Sequence, residues 1–231
     1  MKAIILAGGR GGRLGALTQS RPKPMVEVAG RPILDYLIAF AAKAGIGEFL
    51  VNIGYMGHVI RDYLGSGSRF GVDVTCFEAE GKAPEAAVFA GRSRIDDDSF
   101  CCLCGDNILL PDQVAKIVQT YEGNEADAVF TLEPGNSAAT KRVRVADGRI
   151  LGSGRDARDP VLVYNMAMAT SFLDELLCTV ANREETAFAF AMDDLAEGHV
   201  VLAADIGGFI NINMPEDVAD AEIILRDLEI V

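Results

Sequence analysis

A short aliphatic run that ends in a cluster of glycines constrains this chain more than any other feature. Lys2-Ala3-Ile4-Ile5-Leu6-Ala7 leads directly into Gly8-Gly9-Arg10-Gly11-Gly12-Arg13-Leu14-Gly15. A continuous apolar run of this length, stopped by glycine, predicts a buried strand. Continuous rather than alternating hydrophobicity is the mark of a sheet covered on both faces. The rest of the chain agrees. Strands are predicted at Glu48–Ile53, Val72–Phe77, Phe100–Cys104 and Ala128–Leu132. Helices are predicted from Pro32 to about Ala44, and over Met56–Leu64, Pro84–Ala90 and Val114–Tyr121. This β-α-β-α alternation implies an α/β sandwich with a mainly parallel sheet. The second half adds a hairpin, Val143–Val145 and Arg149–Leu151 about the turn Asp147-Gly148. A strand at Val161–Ala169, a helix at Phe172–Ala181, strands at His199–Ala203 and Phe209–Ile212, and a last helix opened by Pro215 complete the reading. No linker or repeat divides the 231 residues, so one domain spanning 1–231 is expected.

Charge narrows the partners. Residues 1–31 hold six basic side chains and one acid, a net +5, whereas the remainder stands at −18. The overall −13 argues against coating duplex DNA or an anionic membrane, which both need a basic face. A basic island in an acidic chain suits a small polyanion instead. No apolar stretch reaches the length of a membrane span, and no cleavable signal is evident after Lys2. Cys101 and Cys104 have C-x-x-C spacing inside an apolar strand, where residues three apart face opposite ways. They read as buried core thiols, and the odd total of five cysteines fits a reduced, cytoplasmic protein.

Loops at the carboxyl ends of strands in open α/β sheets bind ligands. Repeated glycines let backbone N–H groups approach a polyanion, and Arg10 and Arg13 add forked donors suited to phosphate. Walker A fails because no lysine follows the glycines. The dinucleotide pattern begins at Gly9 and Gly11 but meets Leu14 at its third glycine position. A third pattern fits. Gly8-Gly9-x-Gly11-x-Arg13-Leu14, Leu17-Thr18 and Pro22-Lys23-Pro24-Met25 resemble the signature of the sugar-phosphate nucleotidylyltransferase family. Gly30-Arg31-Pro32-Ile33-Leu34, Gly67-Ser68-Arg69-Phe70-Gly71-Val72, Gly105-Asp106-Asn107 and Pro215-Glu216-Asp217 extend the resemblance along nearly the whole chain.

The resemblance implies a Rossmann-like nucleotidyltransferase fold, a three-layer α/β/α sandwich with a mainly parallel mixed sheet. It implies joining of a nucleoside triphosphate to a phosphorylated sugar or polyol, with release of pyrophosphate. By the same resemblance Leu6, Ala7, Gly8, Gly9, Gly11, Gly12 and Arg13 hold the triphosphate, Lys23 reaches the α-phosphate, and Asp106 binds Mg²⁺. Relatives supply a second metal carboxylate just before the terminal helix. Asn211 stands there, as it does in some branches, and either it or Asn213 reads equally as a cap for that helix.

Other positions depart further. Gly12 replaces a customary threonine or serine, and Lys82–Val88 replaces the usual glycine-rich loop near the nucleobase. The family's basic acceptor residue is matched only by Arg155 or Arg158, in a stretch that also reads as a solvated loop. Asn165 resembles the family's acceptor asparagine and reads equally as a buried structural amide. Pro22–Glu27 with Gly54-Tyr55, and Ala139–Val143 with Asp147–Arg149, resemble cytidylyltransferases and lean toward CTP. A homologue that binds nucleotide without turnover is the competing class, and a homo-oligomer is compatible with either.

Overall fold

A computed structural model describes residues 1–80, 83–134, 142–156, 158–181 and 188–231. Lys82, Ala139-Thr140-Lys141 and Ala157, used in the sequence reading above, lie outside these described residues. The chain begins with β1 (Lys2–Leu6), a small hairpin of β2 (Glu27–Val28) and β3 (Arg31–Pro32), then α1 (Ile33–Lys43) and β4 (Glu48–Ile53). It continues through α2 (Gly57–Leu64), β5 (Asp73–Glu78), α3 (Pro84–Arg92), β6 (Ser99–Cys104), β7 (Asn107–Ile108), α4 (Pro111–Gly123) and β8 (Ala128–Glu133). The second half comprises β9 (Val143–Ala146), β10 (Arg149–Ser153), β11 (Val161–Ala169), α5 (Thr170–Ala181), α6 (Phe188–Leu195), β12 (Val201–Ala204), β13 (Ile210–Asn211) and α7 (Pro215–Asp227).

Among the described residues nine strands form one mixed sheet in the order β5-β4-β1-β6-β11-β8-β12-β10-β9. The first four are mutually parallel, and β11 enters antiparallel to β6. Alternation within β1 and β6 builds two cores. Ile4, Phe100 and Cys102 face α3, α5 and α6, while Ala3, Ile5, Cys101 and Leu103 face α1, α2 and α4. This is the three-layer α/β/α sandwich. Cys104 packs on the first core and Cys101 on the second, so the C-x-x-C pair does point to opposite faces. A third apolar cluster joins α7 to α1, β2, β7 and Leu14 of the glycine segment.

Several boundaries differ from the sequence reading for local reasons. Pro32 does not open α1. It pairs with Glu27 in the β2–β3 ladder, and the helix starts at Ile33. Met56 sits just before α2 with φ +50. The glycine segment winds into 3₁₀ turns over Gly12–Thr18, broken at Gly15. Helix α6 has no counterpart among the predicted elements. Phe188-Ala189-Phe190-Ala191-Met192 alternates by size as a strand would, but it forms a helix whose buried set is Phe188, Ala189, Ala191, Met192 and Leu195, with Phe188, Ala191, Met192 and Leu195 at helical spacing.

The motifs around Arg31 and Arg69 meet at one buried carboxylate. Asp35 accepts from Arg31 Nε, from Arg69 Nη2 at 2.8 Å and from Tyr63 Oη at 3.0 Å. Arg69 also lies over the Tyr63 ring at 3.7 Å. The cluster ties α1 to α2 and to the 3₁₀ turn Ser68–Phe70.

Candidate active site

Parallel pairing brings the chemistry-bearing loops together. Leu6 is in register with both Asn52 and Cys104, so the three strands β1, β4 and β6 end side by side. Backbone bonds lock the exits: Ala7 N–H donates to Asn52 O at 3.0 Å, Tyr55 N–H to Gly8 O at 3.2 Å, and Gly105 N–H to Leu6 O at 3.0 Å. Gly105 is required here, because a Cβ would lie 2.8 Å from Leu6 O. Asp106 therefore emerges directly beside the glycine segment. Leu6 and Ala7 close the floor, and Gly9, Gly12 and Arg13 are exposed at the rim. Arg10 lies over the Tyr55 ring at 5.2 Å.

Lys23 is held from both ends. Pro22 and Pro24 restrict its backbone in a 3₁₀ turn. Its side chain is only 9% exposed, and its ammonium is bonded within the site. Nζ donates to Asp106 Oδ2 at 2.6 Å and to Asn213 Oδ1 at 2.8 Å. Arg13 Nη2 donates to the same Asn213 oxygen at 2.7 Å. The absent side chain of Gly11 makes room for the lysine stem, since a Cβ there would meet Lys23 Cβ at 2.6 Å. Arg13, Lys23 and Asp106 thus converge although Lys23 and Asp106 are 83 residues apart.

Asn213 is the site residue that sequence reading missed. Helix α7 is capped by Asp217, whose Oδ2 accepts from the N–H groups of Asn213 at 2.6 Å and Met214 at 2.7 Å. Neither Asn211 nor Asn213 serves as the side-chain cap, which corrects that alternative. Freed of capping, the Asn213 amide turns to Arg13 and Lys23. Its partners lie 200 and 190 residues away in sequence, so no local pattern signals the contact.

Asn211 sits in β13, opposite Asn107 of β7. Its Nδ2 donates to Glu133 Oε1 at 3.0 Å, and its Oδ1 is buried with no hydrogen-bond partner among the described residues. Ile212 N–H donates to Asp106 O at 3.1 Å, which ties this strand to the Asp106 turn. The Asp106 carboxylate and the orphaned Asn211 amide oxygen, on segments tied by that bond, are hard oxygen donors of the kind Mg²⁺ takes. Among the described residues no group of three or more histidine, cysteine or carboxylate side chains could enclose a metal. The residues fit an ion that keeps waters and takes ligands from its substrate.

The two acceptor candidates lie differently. Asn165 has no exposed surface. Its Oδ1 accepts from Cys104 N–H and its Nδ2 donates to Asn107 Oδ1, both at 2.8 Å. The ladder of β11 shifts register between Val163 and Met166, which brackets it. These bonds describe the structural option: a strut that fixes β6 and β7 on either side of Asp106. Arg155 is exposed in a cleft of about 500 Å³ with Arg144, Ser153, Asp156, Asp159 and Asp193. Among the described residues it makes no bond to Arg13, Lys23 or Asp106. Arg158 is tied to its own loop through Asp156 at 3.2 Å.

Known proteins are similar to this chain in sequence and in fold. A family model described as nucleotidyl transferase matches residues 2–141. The glucose-1-phosphate cytidylyltransferase of Salmonella typhimurium is 30% identical over 220 residues, covering 80% of this chain and 86% of that protein. The UTP–glucose-1-phosphate uridylyltransferase AglF of Haloferax volcanii is 30% identical over 234 residues, covering 96% and 95%. The same organism's low-salt glycan biosynthesis nucleotidyltransferase Agl11 is 36% identical over 136 residues, but the match spans only 38% of that protein. Among solved structures, apo UDP-glucose pyrophosphorylase superposes with a TM-score of 0.80 at 14% identity, covering 99% of both chains. The UDP-glucose pyrophosphorylase of Acinetobacter baumanii gives 0.78 at 17% identity, covering 97% and 92%. These two likenesses concern the fold, while the family match and the two full-length relatives concern descent: the chain belongs to the sugar-phosphate nucleotidylyltransferase family.

Proposed function

We propose that this chain, acting as one domain over residues 1–231, transfers a nucleotidyl group from a nucleoside triphosphate to a sugar 1-phosphate or related phosphorylated acceptor. The products are pyrophosphate and an NDP-sugar. The observation that carries the reading is the convergence of Arg13 and Lys23 on a single oxygen, beside Asp106, at the mouth of the glycine loop.

The reaction is attack by an acceptor phosphate oxygen on the α-phosphorus. A phosphomonoester has its second pKa near ~6, so the nucleophile is already mostly a dianion at neutral pH. No general base is needed, and the protein's share is positioning and charge stabilisation. In this reading the backbone amides of Gly8 to Gly12 and the Arg13 guanidinium hold the departing phosphates. Lys23 stabilises charge that builds on the α-phosphate. Asp106 and Asn211 would hold Mg²⁺, which when bound supplies charge neutralisation on the triphosphate. Asn211 brings oxygen without negative charge, so metal affinity should rest mainly on Asp106. Arg155 is the proposed contact for the acceptor phosphate, and Asn165 serves by fixing Asn107 beneath the Asp106 turn.

Relatives of this chain are named as cytidylyl-, uridylyl-, thymidylyl- and guanylyltransferases. CTP is the first substrate to test, on the resemblance of Pro22–Glu27 and Gly54-Tyr55 to cytidylyltransferases. No helix among the described residues is long and apolar enough to cross a membrane. The net charge of −13 suits an enzyme that meets free nucleotides rather than nucleic acid, and a cytoplasmic place is part of this proposal. The test is pyrophosphate release over a panel of triphosphates and sugar 1-phosphates, with and without Mg²⁺. Metal-dependent release with one pairing supports the reading. Binding without release across the whole panel overturns it.

A further inference from the structure

Asn213 places a neutral oxygen where two cations meet. Its Oδ1 accepts from Arg13 Nη2 at 2.7 Å and from Lys23 Nζ at 2.8 Å. The residue is not there by default, because Asp217 fixes its backbone and that of Met214 from the first turn of α7. Among the described residues the only carboxylate bonded to the pair is Asp106, on Lys23 at 2.6 Å. Two cations, one carboxylate and one amide leave an uncompensated positive charge at a point already ordered for an oxygen ligand.

We propose that Asn213 is a placeholder for a substrate phosphoryl oxygen. It keeps Arg13 and Lys23 aimed at one point in the ligand-free protein, and a phosphate oxygen takes its place on binding. This rests on the functional reading above and extends it to a residue outside the glycine loop. The exchange is favourable because a charged phosphate oxygen makes stronger bonds to both donors than a neutral amide does. Prior alignment also spares the cations reorganisation when charge develops. The same exchange draws Lys23 toward the phosphate and loosens its hold on Asp106, releasing that carboxylate for metal. Asn213 is therefore a positioning residue, acting through Arg13 and Lys23.

The choice of an amide predicts an unusual split between stability and affinity. Asn213→Asp keeps the shape and both bonds but adds a charge that competes with the ligand. Asn213→Ala removes the placeholder without adding a competitor. The probe is inorganic tripolyphosphate, which carries the phosphates without a base, titrated calorimetrically with Mg²⁺ present and paired with thermal melts. We expect N213D to melt at or above the wild-type temperature while binding tripolyphosphate about tenfold or more weakly, the scale of charged hydrogen bonds. N213A should melt at or below wild type and bind within about threefold of it, with turnover reduced more than KM is changed. N213D that binds as wild type does, or N213A that weakens binding as much as N213D, overturns the inference. So does wild-type protein that binds no tripolyphosphate. Failure of the functional reading shows separately, as absence of pyrophosphate release across the substrate panel.

Discussion

Replacing Gly11 by alanine should disturb the site in two ways at once. Gly11 has φ +71, in the left-handed region, where a Cβ costs about 1–2 kcal/mol. That Cβ would also fall 2.6 Å from Lys23 Cβ and 3.0 Å from its Cγ and Cδ. The nearest atom is the root of the lysine side chain, not its flexible tip. Pro22 and Pro24 restrict the backbone that would have to yield. Overpacking of this kind costs about 1–3 kcal/mol. Together the terms give a loss of about 2–5 kcal/mol, or a fall of about 4–20 °C in Tm for a chain of this size. A displacement of Lys23 Nζ by about 1 Å should also lower turnover by about 10²-fold. Gly12→Ala is the stability control, since a Cβ there meets nothing within 4 Å. Thermal melts of both variants and pyrophosphate release by G11A measure these effects. If G11A melts with G12A and keeps wild-type turnover, the packing of Lys23 over Gly11 is not what positions its ammonium.

Further outcomes can be checked alongside. Lys23→Ala removes the buried cation bonded to Asp106 and Asn213 and should lower kcat by about 10²-fold or more, read in the same pyrophosphate assay. Asp106→Asn should raise the Mg²⁺ concentration needed for half-maximal activity by about tenfold or more, because it removes the only carboxylate of the proposed metal pair. Asp35→Ala deletes the acceptor shared by Arg31, Arg69 and Tyr63 and should destabilise the fold by about 2 kcal/mol in a denaturant melt. Burial pushes the Cys101 thiol up to about 12 and raises that of Cys102 as well. At pH 8 a maleimide should therefore label exposed Cys178 in the folded protein, and reach Cys101 and Cys102 only in denaturant, as mass spectrometry of digests will show.

What was legible in the sequence followed from local physics. Strands β1, β4 and β6 are continuous apolar runs because helices cover both their faces, so their ends and the loops after them could be placed within a residue or so. Gly105-Asp106 and Gly8–Arg13 could be joined only because the family pattern joins them. The structure supplies the reason in the shared register of Leu6 and Cys104. Helix α6 escaped notice because phenylalanine and alanine alternate by size while burial follows a helical period. Asn213 escaped because a cap and a site residue look alike until Asp217 is seen to take the capping bonds. Asn165 shows the reverse case. Its sequence context suits a ligand contact and a buried structural amide equally, and only the fold shows its amide bonded to Cys104 and Asn107.

The central claim is that an acceptor phosphate oxygen becomes bonded to the α-phosphorus, at a point defined by Arg13 and Lys23. Following that oxygen tests it. A sugar 1-phosphate labelled with ¹⁸O in its phosphate is incubated with Mg²⁺, the triphosphate that turns over and the wild-type protein, and the products are separated and weighed. The account predicts that all label enters the NDP-sugar, with one labelled oxygen bridging its two phosphorus atoms, and that an equal amount of pyrophosphate forms unlabelled. Label in pyrophosphate, or a nucleoside monophosphate formed in place of the NDP-sugar, would contradict it.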